Sequence, residues 1–310
     1  MKILVYGTGV IGSVLAAKLW YASHEVYVCS RGERLNHIQE NGIVIRDVDT
    51  GKRIVTFPEI FLSDSAVEFH MTIVAVRFDQ LLEALPHIAS IPSGVVVFML
   101  NNPAGFEFIQ EYIPADRFIP GFPGFGGEFV NHEVHYRIIA PSIQSTTIAK
   151  HGADCFTEGS IPEILRHAGF PTQCTTNMDA WLKVHAAIIC PIANALYLSN
   201  GSAKLASKSF GVRYKMAKSM GEGLRALQKL NVNYPFKFRL LRYMPSFLVA
   251  IISRFVLATN WANNVIASHA NKAKTEMYAV NNAFINFVEG KGMSISSFKQ
   301  MAIEANMYNK

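Results

Sequence analysis

Three glycines near the start of the chain constrain its fold more than any other feature. They form the pattern GxGxxG directly after the apolar run at residues 3–6. The glycines open the stretch Val10–Tyr21, in which apolar residues recur at helical spacing, and the β-branched and aromatic run Glu25–Cys29 follows. A strand, a tight glycine turn, a helix and a second strand in this order predict a β-α-β unit with parallel strands.

The glycine pattern is suited to binding phosphates. Gly7 permits a tight turn, Gly9 lets backbone N–H groups approach a pyrophosphate, and Gly12 allows close packing of helix and strand. The helix N-terminus adds partial positive charge. We therefore predict a dinucleotide-binding turn, the alternative being a tight turn without a ligand. The predicted site consists of Gly7, Thr8, Gly9, Val10, Ile11 and Gly12.

The residues after the second strand favour NADP over NAD. An NAD site usually has an acid there, about 20 residues after the glycines, to hold the ribose 2′-hydroxyl. Here Ser30 and Arg31 occupy that place, and the first acid is Glu33. Ser30 can hydrogen-bond the 2′-phosphate of NADP and Arg31 can bind it bidentately, whereas a carboxylate would repel it. In the alternative, Arg31 is a solvated residue of the next helix.

The two halves of the chain have different patterns. The first half alternates strand-like runs (residues 42–46, 53–57, 72–76 and 95–100) with helical stretches (residues 34–40 and 79–88), and residues 118–149 predict further strands. The second half is nearly all helical, at residues 179–198, 210–230, 238–257, 265–289 and 295–307. We predict an α/β protein with a Rossmann-type domain at residues 1–175 and an all-helical domain at residues 176–310.

Composition excludes several classes of protein. The 310 residues are 50% hydrophobic and 17% charged, which is typical of a folded protein long enough for two domains. The formal charge of +6, from 29 Lys and Arg against 23 Asp and Glu, suits an anionic ligand. No run of five Lys or Arg occurs, so we expect no nucleic-acid partner.

The cysteines and apolar segments predict a cytoplasmic protein. The four cysteines, Cys29, Cys155, Cys174 and Cys190, show no metal-site spacing, and they indicate neither a zinc site nor a disulfide framework. The N-terminus lacks the features of a secretory signal. The apolar segment at residues 247–258 is too short to span a bilayer. Its basic entry, with Lys237, Arg239 and Arg242, fits either a membrane-surface helix or a buried helix. We predict a buried helix and no membrane partner.

The chain resembles the ketopantoate reductase family. The resemblance lies in the Rossmann-type start, the Arg after the second strand and a helical half that begins with Trp-x-Lys. It implies reduction of 2-dehydropantoate by NADPH, on the way to pantothenate and coenzyme A, with a site in the cleft between the domains. A small 2-keto acid is then the expected substrate, and a homodimer is compatible with the resemblance.

The resemblance also implies several site residues in the first half. Arg77 and Gln80 look like the family's Lys-x-x-Gln, which lines the cofactor, with Arg77 in place of Lys. Asn102 matches the active-site Asn of the family's Gln-Asn-Gly-x-Gly loop, although Pro103 stands where Gly is usual. In the alternative, Asn102 is an ordinary loop residue before proline.

In the second half the resemblance implies Lys183 as the catalytic lysine. Thr176 and Asp179 form a pattern typical of a capping box, which would place Lys183 in the second turn of its helix. A lysine there is suited to donating a proton. The alternative is a solvated or snorkelling side chain beside Trp181.

Glu276 looks like the family's carboxylate that holds the substrate hydroxyl. An ordinary helix-surface ion pair with Lys272 is the alternative. Asn264 stands near the position of a family Ser that contacts the substrate carboxylate, and it can also hydrogen-bond.

The departures from the family concern the substrate half. Ala187 and Pro191 replace two asparagines, and the nearest substitute on that helical face is Asn194. His185 is an addition beside Lys183 and could serve as a proton shuttle. The substrate therefore need not be ketopantoate. The alternatives are an opine-type or other 2-keto-acid reductase, and an NADP-binding sensor or scaffold without turnover.

A glycine-rich stretch at residues 121–127 is either a lid over the nicotinamide or a pair of β-turns.

Overall fold

The chain divides into two compact units. The computed structural model describes all residues except 63–65, 153, 234–239, 260–261, 263–266 and 309–310. The N-terminal unit comprises Met1–Leu100 and Glu107–Met178, and the C-terminal unit comprises Asn101–Phe106 and Asp179–Lys310. The segment Asn101–Phe106 thus belongs to the C-terminal unit although it lies in the first half of the sequence.

Strands and helices alternate along most of the N-terminal unit. In chain order its elements are β1 (Lys2–Tyr6), α1 (Val10–Tyr21), β2 (Glu25–Cys29), α2 (Gly32–Asn41), β3 (Ile43–Asp47), β4 (Arg53–Thr56), β5 (Glu59–Ile60), β6 (Phe69–Val74), α3 (Phe78–Ser90), β7 (Ser93–Met99), α4 (Glu107–Gln110), β8 (Phe118–Phe122), β9 (Phe125–Val130), β10 (Glu133–Ile138), β11 (Thr146–Ala149), α5 (Ile161–His167) and β12 (Thr172–Thr175).

Eight strands form the main sheet in the order β12-β11-β8-β7-β6-β1-β2-β5. Every neighbouring pair is parallel except β8 and β11. The central strand β1 contributes Ile3, Leu4 and Val5, which are fully buried. The predicted parallel sheet is confirmed, and the carboxyl ends of β1, β2 and β6 meet at one edge, where such sheets bind their ligands.

A second sheet, of four strands in the order β4-β3-β10-β9, was not predicted. Residues 42–46 and 53–57 were expected to join the parallel sheet, but β3 and β4 pair antiparallel with each other, and β3 pairs with β10. Helix α1 contacts strands of both sheets. This position explains why α1 is apolar on nearly all sides, because a helix covered on two faces has little polar surface.

The glycine-rich stretch at residues 121–127 forms the end of β8, a tight connection and the start of β9. Its glycines permit close backbone approach: a Cβ on Gly124 would overlap the backbone of Ser145 and Thr146, and a Cβ on Gly127 would overlap that of His135. The stretch is therefore part of the sheet structure, in agreement with the β-turn alternative rather than the lid.

The C-terminal unit is helical in its described residues. Its helices are α6 (Met178–Tyr197), α7 (Ala203–Lys208), α8 (Phe210–Lys229), α9 (Ser246–Leu257), α10 (Ser268–Lys272), α11 (Lys274–Gly290) and α12 (Ser296–Glu304). Ser202 and Ser209 cap α7 and α8 through the backbone N–H groups of Leu205 and Val212. Leu224, Phe284 and Phe298 are fully buried in its core. Helix α7 was not predicted, and the helix predicted at residues 265–289 is divided at Ala273.

Helix α6 is the one described helix that is long and apolar enough to cross a membrane by length and composition. Within its most apolar window 72% of the residues are buried in the protein. A buried core helix passes the same test, so this observation is weak evidence for a membrane span.

The prediction of a buried helix at residues 237–257 is wrong for the part that the structure describes. Helix α9 packs against α7 and α8. Only a narrow stripe of its surface, which includes Ala250 and Leu257, is buried. Phe247 and Phe255 are 54% and 70% exposed. Apolar periodicity shows that a helix has an apolar face, but the neighbouring helices decide how much of it is covered.

The expectation that no disulfide forms is also wrong for one pair of cysteines. Cys155 and Cys174 form a disulfide with their Cα atoms 6.2 Å apart, although 19 residues separate them in sequence. Cys174 lies on β12, and the loop that carries Cys155 returns to that strand. The other two cysteines, Cys29 and Cys190, are free thiols.

Candidate functional site

The glycine turn joins β1 to α1 at the ligand-binding edge of the main sheet. Gly7 adopts a φ of +95°, and its N–H donates to the carbonyl of Cys29 at 3.0 Å. Gly9 is the N-cap of α1, and no side chain caps this helix end. The first N–H groups of the helix therefore remain available to an anion.

The other two glycines differ in what surrounds them. A Cβ on Gly12 would overlap the carbonyl oxygen of Gly7, so glycine is required there for the helix to pack on the turn. A Cβ on Gly9 would meet nothing within 4 Å. Gly9 thus borders open space, which is what a pyrophosphate approaching the backbone requires.

Thr8 and Ser30 connect the glycine turn to the end of β2. Their hydroxyl oxygens lie 2.5 Å apart, and Thr8 is buried. Arg31 follows as the exposed N-cap residue of α2. Burial raises the pKa of Tyr6, at the end of β1, and the positive charge of Arg31 partly offsets this effect. Arg31 therefore lies within electrostatic range of the carboxyl end of β1.

Arg34 supports the turn and was missed in the sequence. Its guanidinium donates to Ser13 Oγ at 3.1 Å and to the carbonyl of Thr8 at 3.4 Å, and it lies 4.9 Å from the centroid of the Phe129 ring. Burial lowers the pKa of Arg34. The spacing from Arg31, three residues along one helix, was the available signal, but only the fold shows that Arg34 points under the turn.

Arg77 and Gln80 lie at the same edge, beyond β6. The turn approaches this region closely, since the N–H of Ala75 donates to the carbonyl of Tyr6 at 2.8 Å. Arg77 is the N-cap residue of α3, and its Nε lies 3.3 Å from a carboxylate oxygen of Asp79. The N–H of Gln80 donates to the carbonyl of Arg77 at 3.0 Å. The fold thus gathers all the predicted cofactor residues of the N-terminal unit at one edge of the sheet.

Asn102 belongs to the C-terminal unit, and its side chain is used within its own loop. It is buried, donates from Nδ2 to the carbonyl of Gly105 at 2.7 Å, and accepts from the N–H of Ala104 at 3.0 Å. These contacts are the turn chemistry that we considered as the alternative. A direct role of Asn102 in a site stays a prediction.

Asn101, which the sequence analysis did not select, reaches Glu276. Its Nδ2 donates to Glu276 Oε1 at 2.9 Å. Glu276 lies in the first turn of α11 and is buried, with 6% of its surface exposed. The alternative that Glu276 is an ordinary helix-surface residue is therefore disfavoured, because its side chain is buried and has an amide partner. A role of Glu276 in holding a substrate stays a prediction.

The buried Lys183 forms an ion pair with the partly exposed Asp179, one helical turn earlier on α6. Only 4% of Lys183 is exposed, and its Nζ lies 4.4 Å from the centroid of the Phe287 ring. The predicted second-turn position of Lys183 is confirmed. Thr176 is not the N-cap, since α6 begins at Met178, and the carboxylate of Asp179 binds Lys183.

Lys183 and Glu276 make their contacts at different turns of α11. Phe287, against which Lys183 packs, lies eleven residues after Glu276 on α11, which corresponds to about 16 Å along the helix axis. Among the contacts of the described residues, the pair Asp179–Lys183 and the pair Asn101–Glu276 are separate.

Two more predicted positions have structural explanations. Asn194 donates from Nδ2 to Asn281 Oδ1 at 3.0 Å, and both side chains are buried. Asn194 therefore links α6 to α11 rather than replacing the asparagines lost at Ala187 and Pro191. His185 stacks on Trp181 with ring centroids 5.1 Å apart.

The predicted substrate contact of Asn264 and the presence of metal-binding groups concern the limits of the described residues. Asn264, the proposed contact for the substrate carboxylate, lies outside the described residues. In the part of the chain that the structure describes, no group of three or more His, Cys, Asp or Glu side chains is placed to hold a metal ion.

Together these observations define a dinucleotide-binding α/β unit joined to a helical unit that holds a buried lysine and a buried glutamate. Residues 3–149 match the family model of ketopantoate reductase PanE/ApbA, in agreement with the resemblance drawn from the sequence. The remainder of the chain lies outside the family match.

Solved structures share the fold over the whole chain. The 2-dehydropantoate 2-reductase of Geobacter metallireducens GS-15 is 13% identical with a TM-score of 0.78, covering 99% of each chain. The PanE/ApbA family ketopantoate reductase of Ralstonia eutropha JMP134 is 14% identical with a TM-score of 0.78, covering 99% of this chain and 98% of the other.

A D-mandelate dehydrogenase with NADH and anilino(oxo)acetate has a similar structure. It is 15% identical with a TM-score of 0.77, covering 99% of this chain and 97% of the other. At these identities the likeness establishes the fold. A comparison with curated proteins found no match.

Proposed function

We propose that this chain is an NADPH-dependent reductase of a small 2-keto acid, with 2-dehydropantoate as the first substrate to test. The observation that carries the proposal is the glycine turn. In a domain that matches the ketopantoate reductase family model, Gly9 borders open space close to Ser30, and Arg31 follows β2 where an NAD site has an acid.

The residues of the N-terminal unit fit a dinucleotide. The uncapped N-terminus of α1 offers N–H groups to a pyrophosphate, and Gly9 has no side chain in the way. Arg31, exposed at the N-terminus of α2, can bind a 2′-phosphate bidentately. Arg34 does not compete for the phosphate, because its guanidinium is committed to Thr8, Ser13 and Phe129.

The C-terminal unit supplies the proton and the groups that hold the substrate. A reduced nicotinamide, when bound, would supply the hydride to the carbonyl carbon. Lys183 donates a proton from Nζ to the carbonyl oxygen, and Asp179 positions its ammonium. The carboxylate of Glu276, oriented by Asn101, accepts a hydrogen bond from a substrate hydroxyl.

The test is NADPH oxidation by the purified chain with a panel of 2-keto acids. The panel contains 2-dehydropantoate, pyruvate and the 2-keto acid that corresponds to mandelate, in view of the structural neighbour that carries anilino(oxo)acetate. We expect turnover with at least one of them. Absence of turnover across the panel, with NADPH bound, contradicts the proposal.

The variant Lys183→Ala tests the proton donor. We expect kcat to fall by about 10²–10⁴-fold, because general acid catalysis contributes that much, while NADPH affinity stays the same. Lys229→Ala removes an exposed lysine from α8 and serves as the matched control. Equal turnover of Lys183→Ala and Lys229→Ala removes Lys183 from the mechanism.

The ion pair of Lys183 with Asp179 favours a second candidate, an NADP-binding protein without reductase turnover. In that ion pair the ammonium of Lys183 already has a carboxylate partner, and Ala187 and Pro191 stand where the family has two asparagines. This candidate predicts tight NADPH binding in calorimetry together with no oxidation by any keto acid of the panel.

A further inference from the structure

Helix α9 has an exposed apolar face that the proposed function does not use. This face, called the α9 face below, consists of Phe247, Leu248, Ile251, Ile252, Phe255 and Val256, all of them exposed. Together they present on the order of 500 Å² of apolar surface, taking a free aromatic side chain as about 150–250 Å². A patch of about this size on a soluble protein is often functional.

The inward side of α9 packs against α7 and α8, and the α9 face points away from these helices. The buried guanidinium of Arg213, on α8, donates to the carbonyl of Ala250, and Ala250 itself is completely buried. Leu257 is buried at the C-terminal end of the helix. The α9 face is therefore a stable outer surface of the C-terminal unit.

Positive charge is concentrated in the same part of the sequence. Between residues 180 and 275 there are fourteen Lys and Arg and one acid, Glu222, so the formal charge is 14 − 1 = +13. The rest of the chain has fifteen Lys and Arg against twenty-two acids, or −7. The total charge of +6 is therefore the sum of a strongly positive part and a negative part of the chain.

Some of this charge lies close to the α9 face. Arg254 is exposed on α9 itself, and Lys204 and Lys208 are exposed on α7, which packs against α9. Leu205, between these two lysines, is also exposed. An apolar surface flanked by cations on neighbouring elements is the arrangement that binds anionic bilayers, since lipid headgroups meet the cations while apolar side chains enter the interface.

We propose that the α9 face docks the protein on the surface of a bilayer that contains anionic phospholipids. A second copy of the chain is the competing occupant, and it fits less well. Self-pairing of this face would bring two highly positive regions together, and it would bury only about 1,000 Å² of apolar surface, the lower limit for a specific interface. This proposal replaces our expectation that the protein has no membrane partner.

Vesicle flotation of the purified full-length chain tests the proposal. We expect at least about tenfold stronger binding to vesicles of phosphatidylcholine with phosphatidylglycerol than to phosphatidylcholine alone, since each nearby cation strengthens binding about fivefold. Added salt should weaken the binding. Equal binding to both vesicle types, or none to either, overturns the proposal.

Paired variants locate the binding surface. Phe255→Glu should reduce binding to the anionic vesicles by about tenfold or more, because it replaces the most exposed apolar side chain of the α9 face with a charge. Leu82→Glu changes an exposed leucine of α3 in the N-terminal unit and should bind like the unaltered chain. Loss of binding in Leu82→Glu, or full binding by Phe255→Glu, overturns the assignment.

A charge variant and a sedimentation measurement complete the test. The double variant Lys204→Gln/Lys208→Gln removes two cations and leaves the apolar residues of the α9 face intact. If Phe255→Glu lowers the melting temperature, this double variant is the deciding test. It should weaken anionic-vesicle binding several-fold, and unchanged binding contradicts the proposal. The unaltered chain is also examined by sedimentation. If it forms a dimer that Phe255→Glu dissociates, and it does not bind vesicles, the α9 face binds a second copy and the membrane proposal is overturned.

Discussion

At the scale of single residues, the contacts of a side chain decide whether it is a candidate for the site or supports the fold. Arg31 is exposed at a helix N-terminus, while Arg34, three residues later, is held by Thr8 and Ser13. Asn101 contacts Glu276, while its neighbour Asn102 bonds its own loop. In both pairs the residue types are identical, so only the contacts separate a ligand-binding candidate from a structural residue.

Arg31→Ala should weaken NADPH binding without a matching loss for NADH. A charge-assisted hydrogen bond contributes about 1.5–3 kcal/mol, so we expect the Kd for NADPH to rise by about tenfold to a hundredfold. Isothermal titration calorimetry with both nucleotides measures the difference. Glu33→Gln, an exposed change two residues later, is the control. Equal losses for NADPH and NADH would show that Arg31 does not contact the 2′-phosphate.

Gly9→Ala and Gly12→Ala should separate ligand binding from folding. The methyl group of Gly9→Ala enters open space, so stability should hold or rise slightly while NADPH affinity falls at least about tenfold. The methyl group of Gly12→Ala overlaps the Gly7 carbonyl and should lower the free energy of unfolding by about 1–3 kcal/mol or more. Urea unfolding and calorimetry measure both effects. Normal NADPH affinity in Gly9→Ala would place the phosphates elsewhere.

At the scale of elements, one carboxylate ties three strands of the second sheet together. Glu133, on β10, accepts from Arg46 of β3 at 2.5 Å and from Arg53 of β4 at 2.9 Å. Burial alone would raise the pKa of Glu133, but the hydrogen bonds from Arg53 and Arg46 outweigh it, and the pKa is lowered. These contacts span 80 and 87 residues of sequence, and the pattern of residues along the chain does not reveal them.

Glu133→Gln should lower stability in a pH-dependent way. A carboxylate whose pKa is lowered by folding stabilises the protein above its unfolded pKa, near 4.5, and that stabilisation disappears as the pH falls through the lower, folded value. The difference in unfolding free energy between the unaltered chain and the variant should therefore be largest near neutral pH and shrink in acid. Urea unfolding at several pH values measures it, with the exposed Glu111→Gln as control. A difference independent of pH would assign the effect to packing.

At the scale of the whole molecule, the chain combines two compact units with different chemistry. The family match covers residues 3–149 of the N-terminal unit, which carries the glycine turn. The C-terminal unit carries the buried Lys183 and Glu276 and the exposed α9 face. The resemblance to the family is thus clearest in the unit that carries the glycine turn, and the departures from it lie in the unit that we assign to the substrate.

Saturating NADPH should raise the melting temperature more than NADH does. At about one hundred times its Kd a ligand stabilises the native state by about 2.7 kcal/mol. For a unit of this size that corresponds to roughly 5–10 °C. Differential scanning calorimetry at equal concentrations of the two nucleotides measures the shifts. Equal shifts would contradict the preference for NADP that Arg31 is proposed to create.

The sequence by itself determined the features that depend on neighbouring residues. The glycine turn, its strand and helix, Ser30 and Arg31 after β2, and the second-turn position of Lys183 all follow from local spacing. They are predictable because a tight turn, a helical period and a strand end are set by the conformations available to a few consecutive residues.

The tertiary structure alone decided the features that depend on distant contacts. It showed the second sheet, the disulfide between Cys155 and Cys174, the contact of Asn101 with Glu276, and the contact of Lys183 with Phe287. It also showed that α9 is exposed. The physical reason is the same in each case: burial and pairing depend on what packs from the other side, and a residue's own neighbours in sequence carry no record of that partner.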